Sequence, residues 1–537
     1  MRLIIKEYIA QMKEKDELDL LLCDVLGQQG YIADNKPKTG NRQYGVDIQL
    51  HNKKELLLLV VKQGNIDRQV WSGNQNSVRQ SLEEIKDVYL GLLTEDELSK
   101  DIRIIVATNG VKDEAIRPNW NGYVKQNRNW CGKQIEIQFW GIDQIVEMVQ
   151  KNFLNEYLFD SKLQSTLRKA LYYVEENDYK RIYYEKIIDS LIEKMQNAKS
   201  EKVFQRSVTS LYLASQMICQ YAVESGVITI AVLVSEYLLI RYWKFLLCNN
   251  FFEKRKYVEW LIKFCKCYDK WNSLYYQKVK VICKDEELLP NYNLVENKVM
   301  LYEILGYMVS YADFLLMYDK VRAVEVINSI VLLLNNNPGF AYAPYDIHIG
   351  TIIALYRVLA KVNRYEDIKT LLNYQAVELM MYFKSSHKYP AQSDSFEEAV
   401  NIEFGFEENP YEMSVFWGTI LECIVCMDEN ELYDRIKSFL KEDLGGVTKS
   451  TWFLRKSEEE LFYDYGAMSL SGEGVVIEAE NDYELLKKKI LFVFEQYNDE
   501  VFSFDEYSFE ELELIICRYY GYLPRINHKL INRKSEE

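Results

Sequence analysis

The stretch from Tyr44 to Trp71 constrains the fold of this chain more than any other part of the sequence. It begins with a short segment that carries one acid, Asp47, continues through a turn at residues 51–54, and then enters the run Leu56–Val61. A run of six aliphatic residues bounded by turn signals is typical of a strand that is buried on both faces of a sheet. We therefore predict two neighbouring strands, of which the second ends at Lys62.

The lysine at the end of the second predicted strand needs an acidic partner. Burial of an unpaired ammonium group is strongly unfavourable, and Asp47 on the preceding strand is the nearest candidate. A carboxylate and a lysine on neighbouring strands suit phosphodiester chemistry. The carboxylate can hold a divalent cation, and the lysine can orient a water molecule or offset charge that develops on the phosphate. A purely structural ion pair is the alternative that these residues leave open.

The surrounding elements predict a compact α/β domain over residues 1–155. Helical periodicity is found at residues 15–27 and 75–93, extended segments at 30–33, 102–108 and 135–140, and a further helix from 142 to 149. The order is helix, strands, helix, strand, strand, helix. That order predicts a mixed sheet flanked by helices.

Residues 15–150 resemble the restriction-endonuclease-like (PD-(D/E)xK) nucleases, and in particular their Mrr-like branch. The resemblance rests on a leading helix with acids, on Gly45-Val46-Asp47, on a following strand that ends in Lys62, and on a later strand that runs into Asp143 and a helix. It implies a metal-dependent endonuclease that uses Mg²⁺ or Mn²⁺ and acts on DNA rather than RNA. It also implies that Asp47 is a metal ligand and Lys62 the catalytic lysine.

The sequence departs from this family at one position. The family places an acid or a glutamine two residues before the lysine, whereas this chain has Val60, which cannot bind a metal. Because the family often contributes an acid from the first helix, we expect Glu17 to complete the metal site with Asp47. Asp19 on the same helix and Asp67 just beyond the strand are further candidates.

Cations near the predicted strands are candidates for contact with nucleic acid. Lys36, Lys38 and Arg42 directly precede the Asp47 strand, and Arg68 follows the Lys62 strand. The net charge of the chain is −16, but residues 1–155 hold 21 Lys and Arg against 22 Asp and Glu. The acidic balance argues against a protein that coats nucleic acid non-specifically. It is compatible with an enzyme that has a local basic cleft in its N-terminal part.

The remainder of the chain predicts helix after helix. The junctions at residues 177–179, 318–320 and 363–367 share a form, and the last two lie about 46 residues apart, which suits helical-hairpin repeats. Residues 359–368 resemble a tetratricopeptide helix turn. We predict an all-α, solenoid-like region, divided into a repeat-like domain at 156–390 and a C-terminal helical subdomain at 391–537. Such arrays present a concave face to a protein partner or to a second copy of the chain.

The cysteines and the apolar segments indicate a cytoplasmic protein that does not span a membrane. The ten cysteines form no regular framework, and no signal peptide is recognisable at the N-terminus. The longest apolar run, residues 226–234, is about half the length of a membrane span and is predicted to be a buried helix.

Two functions follow from these observations. The first is a metal-dependent nuclease fused to a helical sensor or recruiting region. The resemblance places such fusions in bacterial anti-phage defence and restriction. The second is a scaffold or interaction subunit, in which the nuclease-like fold has lost its chemistry through Val60. A second carboxylate within reach of Asp47 would favour the first function.

Overall fold

The computed structural model of the 537-residue chain describes residues 2–33, 44–73, 76–130, 132–153, 161–175, 180–284, 295–393, 395–406, 411–453, 473–497 and 512–524. The chain divides into two compact units. The first contains Met1–Val234 with Lys254–Trp260, and the second contains Ser235–Glu253 with Leu261–Glu537. These units are broader than the predicted domains, and the division at residues 155 and 390 stays a prediction.

Seven strands are described in the N-terminal part, and five of them form the predicted mixed sheet. The seven strands are β1 (Ile32–Ala33), β2 (Ile48–His51), β3 (Glu55–Lys62), β4 (Asp101–Thr108), β5 (Asn129–Trp130), β6 (Lys133–Gln134) and β7 (Glu136–Trp140). The main sheet has the order β1-β2-β3-β4-β7, and β5 pairs with β6 separately. β1, β2 and β3 are antiparallel neighbours, whereas β3, β4 and β7 run parallel. The parallel pairs require crossovers, and helices supply them.

The helices of this region are α1 (Arg2–Ala10), α2 (Asp19–Gln28), α3 (Arg68–Ser72), α4 (Val78–Asp87), α5 (Glu95–Ser99), α6 (Arg117–Gln126) and α7 (Ile142–Asn152). Two of them differ from the predicted bounds. One turn of π-helix, Glu14–Leu18, precedes α2, and a 3₁₀ turn, Tyr89–Leu92, follows α4. Both predicted helices therefore contain an irregular turn that helical periodicity does not distinguish from regular α-helix.

β3 is the centre of the N-terminal core. Each residue of Leu56–Val61 is at most 2% exposed, because helices pack against both faces of the sheet. Alternate residues from Leu56 to Val60 join an apolar cluster with Trp71, Val78, Leu82, Ile85, Trp120 and Tyr123 of α3, α4 and α6. A fully buried aliphatic side chain contributes roughly 1.5–3 kcal/mol. The run that most constrains the fold is thus also a main source of its stability.

A buried asparagine ties the carboxyl edge of the sheet to α1. The Nδ2 of Asn109, directly after β4, donates to the carbonyl oxygens of Ile9, Ala10 and Met12 at 3.0, 3.1 and 2.7 Å. Its Oδ1 accepts a hydrogen bond from the N–H of Gly64 at 2.7 Å. Asn109 thereby satisfies the free carbonyls at the end of a helix and holds the loop that follows β3.

The long helical region predicted from the sequence is confirmed. Its helices are α8 (Ser161–Tyr172), α9 (Ile182–Gln196), α10 (Glu201–Glu224), α11 (Ile228–Cys248), α12 (Arg255–Lys284), α13 (Val295–Leu316), α14 (Lys320–Asn336), α15 (Ile349–Lys361), α16 (Tyr365–Ser386), α17 (Phe396–Phe404), α18 (Val415–Cys426), α19 (Asn430–Glu442), α20 (Tyr483–Tyr497) and α21 (Leu512–Tyr520).

Two of the three predicted helix junctions lie where the sequence placed them. Residues 318–319 separate α13 from α14, and residues 362–364 separate α15 from α16. Asp319 caps α14 by accepting a hydrogen bond from the N–H of Arg322 at 3.1 Å. The junction at 177–179 lies outside the described residues. The solenoid and tetratricopeptide-like character of the region stays a prediction.

The prediction of an all-α region after residue 155 is wrong in the C-terminal part. β8 (Met413–Ser414), β9 (Thr448–Phe453) and β10 (Glu473–Val476) form a three-stranded sheet of order β10-β9-β8. β9 begins with four polar residues, Thr448–Thr451, so no aliphatic run indicates this strand in the sequence. Gly418 of α18 lets this helix approach β9 closely, because a Cβ there would lie 2.2 Å from the Ser450 carbonyl oxygen.

One described helix, α13, is long and apolar enough to cross a membrane by length and composition. Of its most apolar 18-residue window, 78% is buried inside the protein, which is the environment of a core helix. The apolar run at 226–234 leads into α11, as predicted. Cytoplasmic location stays a prediction.

Candidate active site

The turn before β2 brings Asp47 to the centre of the sheet. Gly45 has φ +82°, and a Cβ at this position would lie 2.2 Å from the carbonyl oxygen of Ser81 on α4. Only glycine accommodates both the positive φ and this close approach. Gly45 therefore has a structural role, because it lets the chain enter β2 in close contact with α4.

Asp47 is fixed by two hydrogen bonds to β3. Its N–H donates to the carbonyl oxygen of Leu59 at 2.9 Å, which extends the β2–β3 ladder by one residue. Its side-chain Oδ2 accepts a hydrogen bond from the N–H of Val61 at 2.7 Å. The carboxylate therefore lies against the last residues of β3, next to Lys62.

Glu14 is an acid that lies beside Lys62, and Glu17 has a contact with the backbone. Lys62 is the last residue of β3, and its Nζ lies 4.0 Å from Oε1 of Glu14, with the lysine side chain 15% exposed and the glutamate 30%. Glu17, the predicted metal ligand, uses Oε2 to accept a hydrogen bond from the N–H of Lys13 at 2.9 Å. The expected acid from the first helix is thus present, but it comes from the first residue of the π-helical turn.

The surroundings of Asp47 raise the pKa of its carboxyl group. Burial is the largest cause that raises the pKa of the Asp47 carboxyl, and the negative charge of Glu14 acts in the same direction. The hydrogen bond from Val61 and the charges of Lys62 and Lys15 oppose the rise without cancelling it. Asp47 is therefore partly removed from water and lies near a second acid, Glu14, so a bound cation would be favourable there.

Val60, at the position of the family's second acid, belongs to the apolar core. It is fully buried in the cluster on the α3, α4 and α6 face of the sheet. The structure also places the two other candidates for the missing ligand. Asp67 caps α3 by accepting a hydrogen bond from the N–H of Val70 at 2.8 Å, and Asp19 is buried at the start of α2. Glu14 is thus the acid whose contact with Lys62 is established.

The two carboxylates suit a hard cation that keeps water ligands. Mg²⁺ is commonly held by one or two protein carboxylates together with waters and substrate phosphates. Within the described ranges, no group of three or more His, Cys, Asp and Glu side chains could hold a metal ion. Asp47 and Glu14 could therefore supply part of a coordination shell, and a cation bound by both would offset the burial of the Asp47 carboxylate and its repulsion by Glu14, which together raise the pKa of Asp47.

Of the four cations predicted to contact nucleic acid, Arg68 lies among the described residues. Lys36, Lys38 and Arg42 lie outside the described residues. Arg68 is the first residue of α3 and is exposed to solvent. It follows the cap residue of α3 on the loop that leaves β3, which places it on the same edge of the sheet as Lys62.

Sequence reasoning missed Glu14 and Asn109. Glu14 stands among several acids before α2, and regular helical spacing does not show which of them faces β3. The π-helical turn closes with a hydrogen bond from the N–H of Leu18 to the carbonyl oxygen of Lys13, so its side chains follow a wider spacing. Asn109 directly follows the predicted extended segment at 102–108, but no local pattern indicates its buried contacts.

Comparison of the chain with protein-family models, with curated proteins and with solved structures gives no match.

Proposed function

We propose that the N-terminal part of this chain is a metal-dependent nuclease that cleaves phosphodiester bonds, with DNA as its substrate. The observation that carries the proposal is the convergence of Asp47, Glu14 and Lys62 at the end of β3. Two carboxylates and one ammonium group are the side chains that metal-assisted hydrolysis of a phosphodiester needs. The mixed sheet and its order of elements support the resemblance to restriction-endonuclease-like nucleases.

In this proposal Asp47 and Glu14 hold Mg²⁺ or Mn²⁺. The bound cation would polarise the phosphate and lower the pKa of a water ligand. The N–H of Val61 holds one oxygen of Asp47 and so fixes the orientation of the carboxylate. Lys62 keeps the attacking water in place through a hydrogen bond and offsets the negative charge that develops on the phosphate.

We further propose that the helical region recruits a protein partner or mediates self-association, and that the protein acts in the cytoplasm, in anti-phage defence or restriction. Exposed apolar side chains on α14 support a contact surface. Val321, Val324 and Leu332 are 82%, 44% and 38% exposed and recur at helical spacing along one face. The functional context rests on the resemblance of the N-terminal part.

A catalytically impaired scaffold is the second candidate, and Val60 favours it. Its aliphatic side chain removes the acid or glutamine that the family places before the lysine, and the core has closed around it. In a scaffold, Asp47, Glu14 and Lys62 would be a structural ion-pair group, and the helical region would carry the function.

Cleavage by the purified full-length protein distinguishes the two candidates. Plasmid DNA and RNA are incubated with Mg²⁺ or Mn²⁺, and the wild type is compared with Asp47→Asn and Lys62→Ala. We expect DNA cleavage that both substitutions slow by about 10²–10³-fold. Lys54→Ala is the matched control, because this exposed lysine lies in the turn at the opposite end of β3, and it should cleave like the wild type. Absence of cleavage by a wild type that binds the metal would support the scaffold.

A further inference from the structure

Lys112 lies on the same edge of the sheet as Lys62, in the loop that follows β4. This loop pairs with the loop that follows β3. Ile66 and Lys112 form a parallel β-bridge, and the N–H of Ile66 donates to the carbonyl oxygen of Val111 at 2.9 Å. A second bond joins the N–H of Val111 to Oδ1 of Asn65 at 3.0 Å. The position of Lys112 relative to the end of β3 is therefore set by backbone pairing.

Two aromatic rings hold the ammonium group of Lys112. Its Nζ lies 4.8 Å from the ring centroid of Trp120 and 4.8 Å from that of Phe139. The two rings pack edge to face, with centroids 5.7 Å apart. Attraction between a cation and aromatic rings restricts the lysine without neutralising it. The two rings therefore fix the position of the positive charge of Lys112, and this charge remains available to a ligand.

No carboxylate of the described residues lies within salt-bridge distance of Lys112, whereas a second cation lies nearby. Burial lowers the pKa of Lys112, and the positive charge of Arg117 lowers it further. Arg117 pairs with Glu114 at 2.9 Å, but both side chains are more than half exposed, and such surface pairs contribute little. Asp113 and Glu114, which lie between the two cations in the chain, are both exposed to solvent, so the partly buried charge of Lys112 is favourable for an anion.

We propose that Lys112 and Arg117 bind a backbone phosphate of a polynucleotide whose scissile phosphate lies at Lys62. This inference rests on the proposed nuclease function and adds a second phosphate site to it. Lys62 is paired with Thr108 across β3 and β4, and Lys112 lies four residues beyond Thr108. Four extended residues span at most about 13 Å. Each strand of duplex DNA has one phosphate per ~3.4 Å of helix axis, so the two sites suit a polymer rather than a mononucleotide.

The binding of a fluorescent DNA oligonucleotide to the full-length chain tests this site. Asp47→Asn serves as the background, because it impairs cleavage while the binding surface remains. On this background, Lys112→Met removes the charge and keeps the side-chain stem against the rings, whereas Lys112→Arg keeps the charge. Lys125→Met is the control, since this exposed lysine lies at the opposite end of α6 from Arg117. Affinity is measured by anisotropy between 0.1 and 1 M salt.

We expect Lys112→Met to reduce the log–log salt slope by about 0.9, which is the contribution of one phosphate contact. The affinity loss is then about eightfold larger at 0.1 M salt than at 1 M. Lys112→Arg and Lys125→Met should bind like the background protein.

Three outcomes would overturn the inference. If Lys112→Met matches Lys125→Met in slope and affinity, Lys112 contacts no phosphate. If Lys112→Met and Lys112→Arg lose affinity equally, the lysine acts through packing and not through charge. If the background protein does not bind the DNA oligonucleotide, the second site and DNA as the substrate of the proposed nuclease are both rejected. A result of the first kind leaves the nuclease proposal intact.

Discussion

The carboxylate of Asp47 accepts a hydrogen bond from the backbone N–H of Val61 across 2.7 Å. This bond joins the acid of one strand to the strand that ends at Lys62. The side chain of Val60 packs in the core. The backbone N–H of the next residue, Val61, orients the Asp47 carboxylate in the candidate site. A residue that cannot bind a metal thus precedes a backbone N–H that orients the remaining acid.

The buried charge of Asp47 should lower stability at neutral pH. Folding raises the pKa of this carboxyl above its unfolded value of about 3.9, so folding favours the protonated form. The cost is absent below pH 3 and grows as the pH rises through the folded pKa. Asp47→Asn removes the charge and keeps an acceptor for the Val61 N–H. We expect a higher free energy of unfolding than the wild type at pH 7, with the difference shrinking towards pH 3.

Urea denaturation of both proteins without metal, at pH 7 and near pH 3.5, measures this difference. Addition of Mg²⁺ at pH 7 should stabilise the wild type and leave Asp47→Asn unchanged, because a ligand stabilises the state that binds it. A variant that is less stable than the wild type at pH 7 without metal would contradict the account of the buried charge.

Gly45→Ala should disrupt the contact between β2 and α4. The new Cβ would have to tolerate φ +82° and a distance of 2.2 Å from the Ser81 carbonyl oxygen, so α4 must shift. We expect the free energy of unfolding to fall by about 2–4 kcal/mol. Gly122→Ala in α6 is the matched control, since its Cβ would meet nothing within 4 Å, and alanine there should stabilise by up to about 1 kcal/mol. Equal effects of the two substitutions would refute the close-approach argument.

Asn109→Ala should loosen the carboxyl edge of the sheet. It removes the donor to the carbonyls at the end of α1 and the acceptor of the Gly64 N–H. Buried polar groups left without partners cost about 1–3 kcal/mol, and we expect a loss in that range. Hydrogen exchange at the Gly64 amide should accelerate. Asn119→Ala on the exposed side of α6 should change neither quantity, and a match between the two variants would count against the role of Asn109.

The sequence predicts the centre of this fold well because its signal is local. An aliphatic run such as Leu56–Val61 can be satisfied only by a strand covered on both faces, and the mixed sheet around it is confirmed. β9 was not predicted because its first four residues, Thr448–Thr451, are polar and form no comparable run. The sequence indicates the helix junctions at 318–320 and 363–367 because polar residues interrupt the apolar periodicity there.

The candidate site was harder to predict than the fold. Asp47 directly precedes β2 and Lys62 ends β3, so their proximity follows from the antiparallel pairing of these two strands. Glu14 depends on a π-helical turn, which rotates its side chain away from the position that a regular helix would give. Asn109 and Lys112 depend on contacts between loops far apart in sequence, which no local pattern encodes.

In the proposed site, the carboxylates of Asp47 and Glu14 together hold a divalent cation beside Lys62. Titration of the full-length protein with Mn²⁺, followed by the electron paramagnetic resonance signal of the free ion, measures this binding directly. Glu14→Gln and Glu17→Gln remove the same charge from the same turn, so the second controls for the first. We expect one Mn²⁺ site. Its affinity should fall about tenfold or more in Glu14→Gln and Asp47→Asn and stay unchanged in Glu17→Gln. Equal affinities for the two glutamate variants, or no binding by the wild type, would contradict this proposal.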